Sequence, residues 1–285
     1  MNFLGLKKSQ YKDCNVLVIP YGHEKGVSYG RGTKDGPRAV IKASYQVETY
    51  HEHGRGFPED RSEGMNIHTF TGLFSKQWQM HLPELEEMIR LGKQNGRFIL
   101  TIGGDHSITP AAVKPHLEDY PDLEIVQFDA HCDLRETYEN SKESHACAMR
   151  RCLEIDDNIK LHQYGIRNKS REECDYIEDN TDRIQCHTTL TKDSYKGSLP
   201  TGKNIYLTFD VDAFDLSLMP ATGTPEPGGL MWDETISLLY HLITENNVVA
   251  ADVVEFAPIK GMHAYDFLVA KLCYKILEYK FYQSF

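Results

Sequence analysis

Short apolar runs rich in Val, Ile, Leu and Phe alternate along the chain with stretches whose apolar positions recur at helical spacing. This alternation predicts the strands and helices of a parallel α/β sheet. Strands are predicted at residues 15–20, 97–102, 123–128, 160–164, 203–209 and 248–254. Several of these runs are continuously apolar, the pattern of strands covered by helices on both faces. Between them, residues 83–95 place Leu85, Met88 and Ile89 on one helical face, and residues 266–280 place Lys271, Lys275 and Glu278 on one polar stripe. Both read as helices packed on the surface of the sheet. Thr109-Pro110 reads as an N-cap and first helical residue, so residues 103–108 fall at the carboxyl edge of the sheet. Open α/β sheets take up ligands at that edge.

Four predicted strand ends carry unusual chemistry. Gly103-Gly104-Asp105-His106-Ser107 follows one, Asp129-Ala130-His131-Cys132-Asp133 the next, Asp210-Val211-Asp212 a third, and Glu255 closes the last. In an extended segment Asp129, His131 and Asp133, at i, i+2 and i+4, face one side as a comb of ligands, with Ala130 and Cys132 facing the other. Asp210 and Asp212 repeat that spacing, and His106 follows a glycine pair that lets the backbone turn tightly. Carboxylates gathered at a partly buried strand end are costly to keep ionised unless cations accompany them. Six ligands, two of them bridging, complete two sites, and an oxygen-rich set with one imidazole per ion favours Mn²⁺ over zinc. Four aspartates carry −4 against +4 for two divalent ions, and a bridging hydroxide leaves the cluster near −1, which suits a cationic substrate. Water between two metals is acidified into a nucleophile, so the expected reaction is metal-assisted hydrolysis.

Composition narrows the partners. The chain has 285 residues, 40% hydrophobic and 26% charged, enough for one large core and expected to form a single domain over 1–285. With 31 Lys+Arg against 42 Asp+Glu the net charge is −11, and without a basic block nothing supports nucleic-acid binding. No apolar stretch approaches the length of a membrane span and the start lacks the order of a signal peptide, so a cytoplasmic protein is expected. Seven cysteines, an odd number without a Cys-x-x-Cys pair, read as reduced thiols, Cys132 included. The glycine-rich stretches lack the features of a phosphate loop or a dinucleotide fingerprint, so no nucleotide cofactor is implied. His51-Glu52-His53 offers no third ligand and reads as a loop.

In order and in type, these motifs resemble the ureohydrolase family of arginases, agmatinases and related guanidino hydrolases. The resemblance also takes in residues 30–38 (Gly-Arg-Gly-Thr-Lys-Asp-Gly-Pro-Arg) and 223–229 (Gly-Thr-Pro-Glu-Pro-Gly-Gly) and spans nearly the whole chain. It implies a three-layer α/β/α sandwich with an eight-stranded parallel sheet, a binuclear manganese centre and a homotrimer or homohexamer. It assigns His106, Asp129, Asp133 and Asp210 to one metal and His131, Asp129, Asp210 and Asp212 to the other, with Asp129 and Asp210 bridging. Asp133 would also orient the bridging hydroxide, Glu255 would hold the guanidinium, and His145 would pass a proton to the departing amine. The ordinary pKa of histidine suits that task.

The loop from Leu134 to Ser144 looks like that of agmatinases and lacks the Asn- and Ser-rich run of arginases. Agmatine, cleaved to putrescine and urea for polyamine biosynthesis, is therefore the expected substrate. Glu136 and Glu139 are candidates for its distal ammonium. Residues 256–266 resemble a subset that includes aminopropylagmatine hydrolases, so aminopropylagmatine, guanidinobutyrate, guanidine and arginine stand as alternatives. His263, in that segment, reads as an exposed loop residue. A phosphoesterase would call for Arg or Lys beside the metals, and a deacetylase-like hydrolase for one metal with its own histidine pair. A non-catalytic subunit would have lost ligands, and all six are present.

Overall fold

Each predicted apolar run forms a strand, with ends shifted by at most one or two residues: β1 Val16–Tyr21, β3 Phe98–Gly103, β4 Glu124–Phe128, β5 Lys160–Tyr164, β7 Asn204–Asp210 and β8 Asn247–Val254. Two further strands, β2 Ile67–Thr69 and β6 Ile184–His187, are too short to stand out in the pattern. The computed structural model describes residues 1–49, 64–72, 81–188 and 197–281, so the 51–53 segment lies outside the described residues. All eight strands are parallel, in the order β2-β1-β3-β8-β7-β4-β5-β6. The expected eight-stranded sheet is thus present, and β2 and β6 are its edges.

Helices cover both faces. On one side lie α1 Gly36–Ala43, α6 Trp232–Thr244 and α7 His263–Phe281, whose Val40, Leu239 and Leu272 share a core with Val18, Leu100 and Leu207 of the sheet. On the other lie α2 Leu82–Gly92, α3 Thr109–Val113 and α4 Ala148–Leu153, packing Leu85, Ala112 and Met149 against Leu17, Ile99 and Ile125. The short helix α5 Arg171–Asp179 opens with a reciprocal capping box between Ser170 and Glu173. Alternate residues of a strand point to opposite faces, which is why these strands feed two cores and read as unbroken apolar runs.

The last helix departs from its sequence reading. Lys275 and Glu278 are fully buried, with Nζ 2.9 Å from Oε2, so two of the three residues of the expected polar stripe are sealed inside the protein as an ion pair, while Lys271 is only half-buried. Lys275 also lies within 6 Å of the Tyr274 and Tyr279 rings. A helix docked on several sides hides its charges where neighbouring side chains can pair with them, and periodicity alone does not separate that case from a solvated face.

Lys275→Met removes the buried Lys275–Glu278 ion pair and is expected to cost about 3–5 kcal/mol. The double change Lys275→Met with Glu278→Leu is expected to regain most of that loss. Denaturant midpoints of the three proteins check this, and equal midpoints for the single and double variants would contradict it.

Candidate metal centre

The four central strands, β3, β8, β7 and β4, end side by side, and their carboxyl ends deliver every predicted centre residue except His145. At the end of β3, a side chain on Gly104 would meet the His23 carbonyl at 1.7 Å, because the 23 and 105 backbones pair there. Close approach, more than a tight turn, is what requires that glycine. Asp105 caps the following short turn, taking up the Ser107 N–H and hydroxyl and, through Oδ2, the Gly26 N–H at 2.8 Å. His106 begins that turn, fully buried.

The comb after β4 is not extended throughout. Asp133 has φ +54°, and its carbonyl accepts the N–H groups of Met149 and Arg150 at the start of α4. A left-handed residue locked onto a helix, more than strand alternation, aims that carboxylate. Asp212 likewise sits in a tight turn, its N–H donated to Asp210 Oδ1 at 2.8 Å. Glu255 is also left-handed, with φ +63°. Non-glycine residues held in this region carry backbone strain that the surroundings must offset, and such residues gather at functional sites.

Carboxylate and imidazole atoms converge. His106, Asp129 and Asp210 offer ligand atoms within 4.8 Å of one another, as do Asp129, His131 and Asp212. Asp129 belongs to both groups. Around His106 Nδ1 stand oxygens of Asp133 at 3.0 Å, Asp129 at 3.1 Å and Asp210 at 3.3 Å, and His131 Nδ1 lies 3.0 Å from Asp212 Oδ2.

The tautomer of His106 tests whether a cation belongs here. Thr208 Oγ1 donates to Asp252 Oδ1 at 2.6 Å, so its 2.8 Å contact with His106 Nε2 is filled by an Nε2–H donor. In the neutral ring Nδ1 then carries a bare lone pair. It is buried, has no aligned hydrogen-bond partner, and faces three carboxylate oxygens. That arrangement needs either a proton or a metal ion. The same tension moves the proton affinities. Burial, then the charges of Asp212 and Asp129, holds Asp210 well above the usual carboxylate range. Burial, then Asp129, lifts Asp133 to about 6. At His106 burial favours the neutral ring, but the surrounding carboxylates outweigh it and raise its pKa well above normal. Divalent cations would replace those shared protons, and the donor set fits them.

Supporting polar groups thread the sheet. Gln127 Nε2 donates to Asp129 Oδ2 at 2.6 Å, and Gln163 Nε2 donates to Gln127 Oε1 at 2.6 Å and to the Cys132 carbonyl at 2.8 Å. Asp252 accepts from Thr208, Tyr206 and Thr109. Sequence reading passed over Gln127, Gln163, Thr208 and Asp252. Their signal was a polar residue inside an otherwise apolar strand, where burial demands a partner.

A cavity of about 190 Å³ opens above the centre, bordered by His131, Asp133, Asp210 and Asp212 below and by Ser28, His145, Asn168 and Glu226 on its sides. His145 bonds to Glu255 Oε1 through Nδ1 at 3.2 Å and to Ser28 Oγ through Nε2 at 2.8 Å. Burial lowers its proton affinity, yet the Glu255 carboxylate, with Asp133 and Asp105 behind it, prevails and lifts the pKa to about 9. The Glu255 contact therefore favours the protonated imidazole, contrary to an ordinary titration. Glu255 is buried beneath it and accepts the His106 N–H at 2.7 Å.

Glu136 is placed elsewhere than expected. Its carboxylate pairs with Lys142 at 2.5 Å, Arg150 at 3.1 Å and Arg151 at 3.4 Å, and it does not border the cavity; nor does exposed Glu139. Three cations on the loop and on α4 claim it first. His263 is exposed at the start of α7. Cys132 is fully buried, and all seven thiols are free. The two glycine-containing motifs meet: a side chain on Gly30 would lie 2.6 Å from the Gly223 carbonyl.

Comparison with known proteins accords with this geometry. The family model described as the Arginase family matches residues 12–278. An N(1)-aminopropylagmatine ureohydrolase from Synechocystis is 33% identical over 95% of this chain and 90% of its own. An agmatinase from Bacillus subtilis is 28% identical over 88% and 87%. The crystal structure of the agmatine ureohydrolase of Thermoplasma volcanium, 26% identical, superposes with a TM-score of 0.79 over 97% of this chain and 94% of that one.

Two substitutions probe the centre. Asp129→Asn, at the residue common to both ligand groups, is expected to abolish binding of both divalent ions, whereas Asp212→Asn leaves one; metal analysis after gel filtration distinguishes them. Thr208→Val frees the His106 tautomer and is expected to weaken metal binding about 10- to 100-fold. Competition with a chromophoric chelator measures it, and unchanged affinity would exclude Thr208 from that role.

Proposed function

The chain belongs to the arginase family and is an agmatinase-like ureohydrolase of guanidino compounds, and from that premise we propose that it cleaves agmatine to putrescine and urea. The observation that carries the hydrolytic reading is the buried His106 lone pair facing three carboxylates, beside a second imidazole and carboxylate group that shares Asp129. We assign His106, Asp129, Asp133, Asp210, His131 and Asp212 as the residues that would hold the metals, with Asp129 and Asp210 the ones that both ions would share. The oxygen-rich donor set favours two Mn²⁺ per chain. When bound, two such ions supply Lewis acidity and a water acidified enough to act as a nucleophile near neutral pH.

The chain's own groups supply the rest. Asp133 accepts a hydrogen bond from the attacking water and so aligns its lone pair with the guanidinium carbon. Glu255, whose Oε1 already accepts from His106 and His145, receives a guanidinium N–H donor on Oε2 as a charge-assisted bond. His145, protonated through its contact with Glu255, delivers a proton to the alkyl nitrogen as its bond to carbon breaks. Guanidinium and water give urea and an alkylammonium, so charge balances without a further reactant.

Aminopropylagmatine is the second reading. It is favoured by the Synechocystis relative and by the segment from Phe256 to Asp266. Among the described residues no helix is long and apolar enough to cross a membrane. A cytoplasmic homotrimer or homohexamer acting in polyamine biosynthesis is proposed from the family resemblance.

Urea release by Mn²⁺-loaded protein tests the reading across agmatine, aminopropylagmatine, guanidinobutyrate, guanidine and arginine. Agmatine is expected to lead, and a lead by aminopropylagmatine would favour the second reading. His145→Ala is expected to lower kcat about 100-fold or more while two metals stay bound. Unaltered turnover would remove His145 from proton transfer.

A further inference from the structure

Given guanidino hydrolysis at this centre, a reading on which this step rests, we propose that Glu226 is the specificity-determining residue that receives the cationic nitrogen at the far end of the substrate's alkyl chain. The role is the one for which Glu136 and Glu139 are the candidates of the sequence. Glu226 borders the cavity from the loop after β7, with its Oε1 4.0 Å from His131 Nε2, and its side chain is one-third exposed. The carboxylate is therefore beside the metal centre yet open to the entrance.

Its position is fixed by donors that leave most of its charge unspent. Asn168 Nδ2 donates to Oε1 at 2.6 Å, and nothing else among the described residues donates to this carboxylate. Asn168 is itself held next to His131 by a strand-like bridge, its N–H bonded to the Ala130 carbonyl at 3.0 Å. The Glu226 backbone is tied down by Arg167, whose Nη2 donates to the Glu226 carbonyl at 2.7 Å and to the Asp212 carbonyl at 2.7 Å, while its Nε reaches the Pro227 carbonyl at 3.0 Å. One guanidinium thus fastens the Glu226 loop to the turn that carries Asp212. With one neutral amide donor and His131 Nε2 no nearer than 4.0 Å, the carboxylate keeps an open side to offer, in contrast to Glu136 with its three cations.

Arg135 also borders the cavity, but its guanidinium lies over the Tyr138 ring, 4.9 Å from the centroid. That stacking gives it an aromatic partner of its own. The chemistry selected is that of an ω-aminoalkyl guanidine. In agmatine the primary ammonium is four methylenes from the guanidinium, and in aminopropylagmatine a secondary ammonium occupies the same place. One carboxylate serves both, and the open side of Glu226 lets the longer substrate continue toward solvent. Guanidinobutyrate puts a carboxylate at that place, where Glu226 repels it.

The test compares kcat/KM of Mn²⁺-loaded wild type and Glu226→Gln on agmatine, 1-butylguanidine and 4-guanidinobutyrate. The glutamine retains an acceptor for Asn168 and removes only the charge. Agmatine is expected to lose about 10- to 100-fold, the worth of a hydrogen bond to a charged group. Butylguanidine, with an uncharged tail, is expected to change less than about 3-fold, and its turnover shows that the variant is folded and metal-loaded. Guanidinobutyrate is expected to gain relative to agmatine. Equal losses on agmatine and butylguanidine, or no loss on either, would overturn the role of Glu226 while leaving guanidino hydrolysis intact. Absence of urea from every compound with wild-type protein would instead overturn the hydrolytic reading itself.

Discussion

The structure is organised around a lone pair that cannot stay as it is. His106 Nδ1 is enclosed at the carboxyl edge of the sheet, with oxygens of three aspartates within 3.3 Å. An unpaired buried acceptor facing anions is among the costlier arrangements a protein can hold. Every neighbouring feature maintains it: the Thr208 and Asp252 hydroxyl and carboxylate fix the tautomer, the glutamine pair fixes Asp129, and the left-handed backbone at Asp133 keeps its carboxylate aimed. A fold that stabilised only itself would have filled this edge with apolar side chains. The retained cost points to cations as the partners for which the edge is shaped.

The layout of the sheet makes such convergence possible. Central strands β3, β8, β7 and β4 are adjacent in space although distant in sequence, so four loops leave the sheet from neighbouring strand ends. Parallel strands leave the sheet in the same direction, which puts all four loops on one edge. The helices on both faces hold that edge rigid through two separate cores, one on each side of the sheet. Rigidity matters because electrostatic groups act strongly only when they need not reorganise.

Much of this was legible in the sequence, and the failures share a cause. Six strands, and the convergence of His106, Asp129, His131, Asp210 and Asp212 at their ends, could be read because the signals are local: an apolar run, then ligand-forming residues at its end. Strands β2 and β6 escaped because three or four residues hold too little pattern, and their pairing is set by neighbours. Lys275 and Glu278 looked like a solvated stripe because sequence does not show what covers a helix. Glu136 looked available for a substrate because its partners Arg150 and Arg151 come from α4. His145 looked like an ordinary histidine because Glu255, which raises its proton affinity, is 110 positions away. In each case the missing information is a long-range contact that sets an electrostatic environment.

The same reasoning separates the reaction from its specificity. Chemistry at the guanidinium depends on groups buried under the cavity, where ligand geometry and tautomer are fixed by strand ends. Discrimination between substrates with the same guanidinium depends on what stands one chain length away, and there the loops have freedom to differ. Glu226 lies at that boundary: its backbone is tied by Arg167 to the turn of Asp212, while its carboxylate faces the entrance. A residue tied on one side and exposed on the other can change identity without disturbing the ligands beneath it. Substrate choice in this architecture can therefore shift by single residues at the rim, while the carboxylates and imidazoles of the centre stay as the fold requires.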